Sequence, residues 1–317
     1  MGKTNQKEAR PTSIGGQALI EGVMMKGPRE VAIAVRRPDN TIAVKKEPVS
    51  GLTKKLKLEK IPFIRGAVAL VDSMVLGVRS LTYSAEVVEE GFKDEEPDKF
   101  DLFLQKIFKD KANDVMLYTS VFLAILMSVG IFILGPTFLV SLFSRFITDN
   151  TVVLNLIEGF VRLAIFTIYI VLVSKLEDMR RVFQYHGAEH KAIYCYENGE
   201  ELTVENTKKY TTLHPRCGTS FLFIVMMVSM LAFSVMGWSS LLVRVVSRLV
   251  LLPLVAGISY EIIRLAGKST SPLMAVVNYP GMMMQRLTTI EPDDQQIEVA
   301  LEALKNVLVE NKEEADW

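Results

Sequence analysis

"VMLYTSVFLAILMSVGIFILGPTFLVSLFS", residues 115–144, holds thirty residues without a charged side chain between Asp114 and Arg145. A helix needs only roughly 20 residues to cross about 30 Å of hydrocarbon. This stretch decides the fold class, a mainly α membrane protein. Downstream, 152–174 is apolar apart from Glu158 and Arg162, and a short link at 143–151 would send it back through the bilayer. The pairing recurs with "CGTSFLFIVMMVSMLAFSVMGWSSLLV" (217–243), followed by a segment that carries Arg244, Arg248, Glu261 and Arg264. Four transmembrane helices are expected, near 116–140, 152–174, 218–238 and 241–266, making a membrane region over 115–266.

Glu158 and Arg248 each fall about seven residues into a span, about 10 Å from the outer surface at 1.5 Å rise per residue. A lone charge there costs a few kcal/mol, so partners are expected. Glu158 can meet Arg162 at i,i+4 or Arg248 across helices. The stretch "IPFIRGAVALVDSMVLGVRSLTYSA" (61–85) is apolar but interrupted by Arg65, Asp72 and Arg79. It reads as an amphipathic helix in the membrane interface, with a fifth span as the alternative.

Basic residues set the orientation. The link at 145–151 and the link at 237–240 hold only Arg145, whereas 175–217 holds Lys175, Arg180, Arg181, Lys191, Lys208, Lys209 and Arg216. With a lysine-rich N-terminal part, this places both termini and the 175–217 helical loop on the inner side of the cytoplasmic membrane. Lysine plus arginine and aspartate plus glutamate both number 36, so no nucleic-acid partner is implied. Two cysteines make no disulfide framework and suit a reducing compartment. Residues 1–13 are polar, so no cleavable signal peptide is expected.

The cytoplasmic parts divide into an N-terminal β-containing cap (1–60), an acidic linker (86–114) and a C-terminal segment (267–317). In the cap, "EVAIAVRRPDNTIAVKKEPV" (30–49) has two β-branched runs around the turn chemistry of Pro38-Asp39-Asn40. "GGQALIEGVMMKGP" (15–28) offers another short strand or a close backbone approach. Ile297, Leu301, Leu304 and Leu308 share one face of a C-terminal helix that needs an apolar partner. "GKST" (267–270) is not a phosphate-binding loop: where that loop needs a glycine this chain has Ile262, so a helix end is expected.

All three histidines and both cysteines lie in the 32 residues from His186 to Cys217. Leu176, Met179, Phe183, His186 and His190 recur at helical spacing, on a helix continuing inward from the second span and ending at Asn198-Gly199. A histidine on such a face is ordinarily core. Here, however, His186-Gly187-Ala188-Glu189-His190 matches the H-x-x-E-H pattern of inverted zinc hydrolases. In that chemistry both imidazoles bind zinc and the glutamate is the general base. Zinc needs a third protein ligand, and "LHPRCG" (213–218) offers His214 and Cys217 on a loop held non-helical by Pro215. Four protein ligands would make a structural site, three an open one. Cys195 lies about 140° around the helix from His190 and reads as packing. Glu261 is a remote ligand candidate, reachable only if the helix bends near 175–178, and fits better as a partner of Arg264. The methionines of "VMMK" (23–26) and "GMMMQR" (281–286) could suit copper(I), but apolar packing is the preferred reading.

The stretches "GGQALIEGVMMKGP", "IPFIRGAVALVDS", "YHGAEHKAIYCYE", "HPRCGTSF" and "PGMMMQRLTT" resemble the YqhQ-like family of bacterial multi-pass membrane proteins, whose domain is of unknown function. The likeness runs from residue 15 to about 290, five motifs in order. It implies a metal-dependent enzyme in the cytoplasmic membrane, adds Gln17 and Glu21 as candidate site residues, and hints at membrane-protein biogenesis machinery as a partner. The combined expectation is a zinc hydrolase of unknown substrate at the inner membrane face. The alternative is a non-catalytic scaffold or insertion factor.

Overall fold

The computed structural model describes residues 10–51, 58–90, 112–237, 240–268, 271–309 and 315. The chain forms two compact units, one of Met1–Gly91, Ile170–Val228 and Pro253–Trp317, the other of Phe92–Tyr169 and Ser229–Leu252. Among the described residues the strands are β1 (Gly15–Leu19), β2 (Gly22–Lys26), β3 (Glu30–Arg36) and β4 (Ile42–Pro48). The α-helices are α1 (Ile64–Glu89), α2 (Ala112–Val129), α3 (Gly135–Ile147), α4 (Thr151–Val173), α5 (Glu177–Glu197), α6 (Val204–Lys208), α7 (Gly218–Ser234), α8 (Leu241–Lys268), α9 (Pro272–Thr288) and α10 (Asp294–Lys305).

In the first unit the strands form an antiparallel meander in the order β1-β2-β3-β4. The β3–β4 turn forms where Asp39 accepts from the Thr41 amide (2.9 Å) and hydroxyl (2.6 Å), with Asn40 at φ 66°. "EVAIAV" does not alternate with polar residues because both sheet faces are covered. Val23, Met25, Ala32 and Ala34 pack with Tyr185, Ala188, Ala192 and Ile193 of α5 and with Ile297, Leu301 and Leu304 of α10. Leu19, Met24, Ile33 and Val35 pack with Leu76, Tyr83 and Val87 of α1. Met24 and Met25 thus go to opposite faces as core residues. The expected C-terminal helix exists, opened by an Asp293–Gln296 capping box. It stops at Lys305, so Leu308 joins the core from beyond the helix. Of the acidic run, 86–89 complete α1, Glu90 caps it, and 91–111 lie outside the described residues. Gly267 and Lys268 end α8, in keeping with the helix-end reading.

Two expectations need correction in this unit. α5 is not a straight continuation of α4: the helix breaks at 174–176, where Leu176 is extended (ψ 133°) and 58% exposed. Beyond Phe183 the helix is buried on successive residues from Gly187 to Ile193, so it is a central helix rather than one with a single buried stripe. Glu261 is gripped by both ends of the Arg65 guanidinium and by the Phe63 amide at 3.3 Å. Arg65 takes the place expected for Arg264, because the start of α1 packs directly on this part of α8.

In the second unit α2 passes through one π turn, Gly130–Leu134, into α3. Glu158 is 1% exposed and takes both expected partners at once. Arg248 spans both its oxygens, Arg162 stands at 2.9 Å and the Thr137 hydroxyl at 2.8 Å.

Among the described residues three helices are long and apolar enough to cross a bilayer: Tyr118–Ser144, Thr151–Val173 and Leu242–Leu265. The stretch expected as the third of four spans is helical only over Gly218–Ser234, 17 residues. That is at the short end of the roughly 17–25 residues that a crossing takes.

Candidate metal centre

α5 carries the H-x-x-E-H segment through the middle of the first unit. Its end is fixed by Gly199 (φ 69°), whose amide bonds Tyr196 O (2.9 Å) while Glu200 bonds Cys195 O (3.2 Å). A glycine is required at 187: a Cβ there would sit 2.2 Å from the Ile290 carbonyl oxygen. This close approach lays the 288–290 segment against α5 and brings the Thr288 carbonyl to His186.

His186 donates from Nδ1 to Thr288 O at 2.8 Å, and His190 donates from Nδ1 to Thr212 O. A carbonyl can only accept, so each ring keeps its proton on Nδ1 and turns Nε2 the other way. The rings lie 4.5 Å apart, and His186 Nε2 is 3.2 Å from Cys217 Sγ. One ligand atom each from His186, His190 and Cys217 falls within 4.8 Å of the others. Cys217 precedes α7 and accepts the Thr219 amide at 3.4 Å, as a residue capping a helix N-terminus does.

The electrostatics follow from this crowding. Burial would raise the Cys217 thiol, but the His186 and His190 imidazoles hold it well below its ordinary value. Burial disfavours charged His186, but the facing thiolate and then Glu189 push it up to about 9. Glu189 is 5% exposed, with Oε2 3.9 Å from His190 Nε2. Burial raises its carboxyl, opposed by His190, His186 and the Gly16 amide. A Cβ on Gly16 would lie 2.6 Å from Met24 O and 2.9 Å from Glu189 Cγ, so glycine lets β1 reach the carboxylate.

These groups open on a cleft of about 300 Å³ lined by Gly16, Gln17, Ser73, His186, Glu189, His190 and Cys217, among others. His214 also borders the cleft but belongs to a neighbouring network. Its Nε2 is 3.9 Å from Glu197, which also receives Arg216 and the Thr12 amide (2.7 Å). Burial and Arg216 disfavour charging His214, and its pKa falls despite Glu197. Gln17 lines the cleft and reaches over Gly77. Glu21 joins Arg181 through two hydrogen bonds and accepts from Tyr185 at 3.2 Å, pinning the first hairpin to α5. Glu261 is held by Arg65 and does not line the cleft. Cys195 is fully buried, with Sγ 3.5 Å from Glu201 O.

A family model described as a protein of unknown function, DUF1385, matches residues 61–310. The chain belongs to this family. It is also similar to the uncharacterized protein YqhQ of Bacillus subtilis (strain 168), 36% identical over 307 residues, covering 95% of this chain and 94% of the relative. No solved structure matches the chain. Within the family's matched region lie three contributors that reading the residues did not single out. Thr212 and Thr288 act through main-chain carbonyls, which leave no side-chain signature. Gln285 bonds the His214 amide (2.8 Å), the His214 carbonyl (2.7 Å) and Ser220 (2.8 Å), fixing the loop that carries Cys217. Its signal was available, since a glutamine inside an apolar helix must find partners.

Proposed function

We propose that this family member is an integral protein of the cytoplasmic membrane and a metal-dependent hydrolase, with His186, His190 and Cys217 as ligands and Glu189 as general base. The observation carrying the proposal is the pair of imidazoles, each tied through Nδ1 to a backbone carbonyl, converging with the Cys217 sulfur. Such outer ties orient ligating histidines in metal sites. Two nitrogens and one sulfur suit zinc better than magnesium or calcium, which take oxygen. Three protein ligands leave a position open. A divalent ion there supplies Lewis-acid polarisation and acidifies water. His186 and His190 hold their Nε2 lone pairs toward the site while Thr288 and Thr212 keep the rings from turning. Glu189, raised by burial, is suited to take a proton from water and return it to the leaving group. His214 serves with Glu197 and Arg216 to hold the loop carrying Cys217.

For the membrane we propose four spans, with α7 as the third and both termini inside, from the basic residues of 175–217. Reporter fusions at the termini and at 145–151 test this; a terminus outside overturns it.

The site is tested by metal analysis and by Glu189→Gln. The purified chain should carry about one zinc, retained in Glu189→Gln, whose activity or complementation should fall about 10²–10⁴-fold. Absence of metal would remove the ligand assignment. A fully active Glu189→Gln would favour the second reading, a scaffold or insertion factor working with membrane-protein biogenesis machinery. That reading draws on the same ties, since the imidazoles bind α5 to the 212 and 288 segments.

A further inference from the structure

α1 presents apolar side chains on two faces, one packed on the sheet and one turned outward. Ile64, Val71, Met74, Val75, Val78 and Leu81 are each between 42% and 57% exposed. At 100° per residue they fall within an arc of about 120°. The opposite face, buried in the protein, is made of Gly66, Gly77, Ser80, Ser84 and Val87, with Leu76 and Tyr83 packed on the sheet beside it. Leu76, Tyr83 and Val87 already make the apolar contact of α1 with the sheet, so the outward arc is a second apolar face. Six such side chains on one arc form a patch that water disfavours.

The first turn of α1 says what covers that patch. It packs on α8: a Cβ on Gly66 would lie 2.5 Å from Tyr260 Cβ, one on Gly257 would lie 2.4 Å from Phe63 O, and Arg65 grips Glu261. These α8 residues belong to the candidate span Leu242–Leu265. The outward stripe thus begins at a helix that is itself long and apolar enough to sit in lipid. The same α1 contributes Ser73 and Leu76 to the cleft, and Gly218, the first residue of apolar α7, contributes to it as well. One helix therefore has a face suited to hydrocarbon and an edge on the metal-ligand cluster. A cleft of about 300 Å³ accommodates a lipid headgroup and is small for a folded or extended protein segment.

We propose that α1 lies in the headgroup–acyl boundary of one leaflet, and that the cleft beside it takes the polar end of a membrane lipid whose chains stay in the bilayer. Calling that lipid a substrate rests on the hydrolase reading; its entry into the cleft does not.

Two measurements on the full chain in phosphatidylethanolamine–phosphatidylglycerol vesicles test this, and neither requires metal or Glu189. In a Trp238→Phe, Trp317→Phe background, Val75→Trp or Met74→Trp should be quenched at least about twofold by brominated acyl chains. Asp39→Trp, in the β3–β4 turn, should be unaffected. Equal quenching of the turn and the α1 positions, or none at α1, overturns the placement. In a Cys195→Ala chain with chelator, a hexadecyl maleimide should alkylate Cys217 about tenfold faster than a sulfonated water-soluble maleimide at the same total concentration. Adding Val75→Glu and Val78→Glu should bring the ratio near one and leave the soluble reagent's rate unchanged. Equal rates, a faster soluble reagent, or no labelling by either overturns lipid access. A fully active Glu189→Gln, which would defeat the hydrolase reading, would leave both results untouched, so the two readings fail separately.

Discussion

Glu158 and Glu189 are both helical glutamates buried in protein, 1% and 5% exposed, yet their surroundings differ in kind. Glu158 is saturated: Arg248 spans both oxygens, and Arg162 and Thr137 add to one of them. Glu189 meets two imidazoles and the Gly16 amide but no guanidinium among the described residues, and it faces a cleft. A carboxylate gripped by two guanidiniums and a hydroxyl serves architecture. One kept short of partners, raised by burial and open to a small molecule, can exchange a proton. The contrast separates a cluster that holds helices together from one that can do chemistry.

The largest effect should come from breaking the saturated cluster. Glu158→Leu leaves Arg248 and Arg162 buried without their counter-charge, and should cost about 3–5 kcal/mol in thermal or denaturant unfolding of detergent-solubilised protein. Replacing Arg248 by leucine as well should recover a large part of that loss, while bound metal stays constant in the material that folds. Should Glu158→Leu retain full stability and lose the metal, the division between the two clusters would be wrong.

A smaller effect sharpens the other side of the contrast. Gly187→Ala puts a methyl where the Ile290 carbonyl lies, 2.2 Å from the new carbon, and so displaces the segment carrying Thr288 from α5. No ligand is altered, but the His186 ring loses its tie. Stability should fall by about 2–3 kcal/mol, and metal affinity by about 10–100-fold, the usual result of losing an outer partner. Unchanged affinity by competition with a chromogenic chelator would show that the Thr288 tie does not organise the site.

The same two clusters show what the chain reveals when read alone. Both partners of Glu158 were legible because charges in long apolar segments have few places to go. The grouping of His186, His190 and Cys217 was legible, within a wider set that included His214, from residue type and the helical spacing of the first two, and the β3–β4 turn and the α10 face from local chemistry. Contacts made by backbone were not: Thr212, Thr288 and the approach at Gly187 depend on tertiary placement, which no side chain announces. The break at 174–176 entered only as a condition for Glu261 to reach the site, since "SKLED" contains no proline or glycine to mark it. Arg65 was missed as the partner of Glu261 because 196 residues separate them, while Arg264 lay one turn away. His214 was read with the ligands on its residue type. Its place beside Glu197 depends on the loop that Gln285 fixes.

The smallest effect probes Glu197, which lies between the two extremes: well partnered like Glu158, yet next to the cleft through His214 and Arg216. Burial works against its charge, but His214, Arg216 and the Thr12 amide outweigh burial and hold the carboxyl below its ordinary value. A native pKa below the unfolded one adds stability that is complete above about pH 4.3 and fades as pH falls through the lowered value, because the unfolded chain then binds the proton first. Glu197→Gln keeps acceptors for Thr12 and Arg216 but removes the charge, so at neutral pH it should cost only about 1 kcal/mol. The gap between wild type and Glu197→Gln should be constant from about pH 6 to 8 and close on acidification below about pH 4. A gap that widened with acid would mean that the carboxyl is protonated in the native protein. Glu197 would then resemble Glu189 rather than Glu158, and the open cluster would extend to His214.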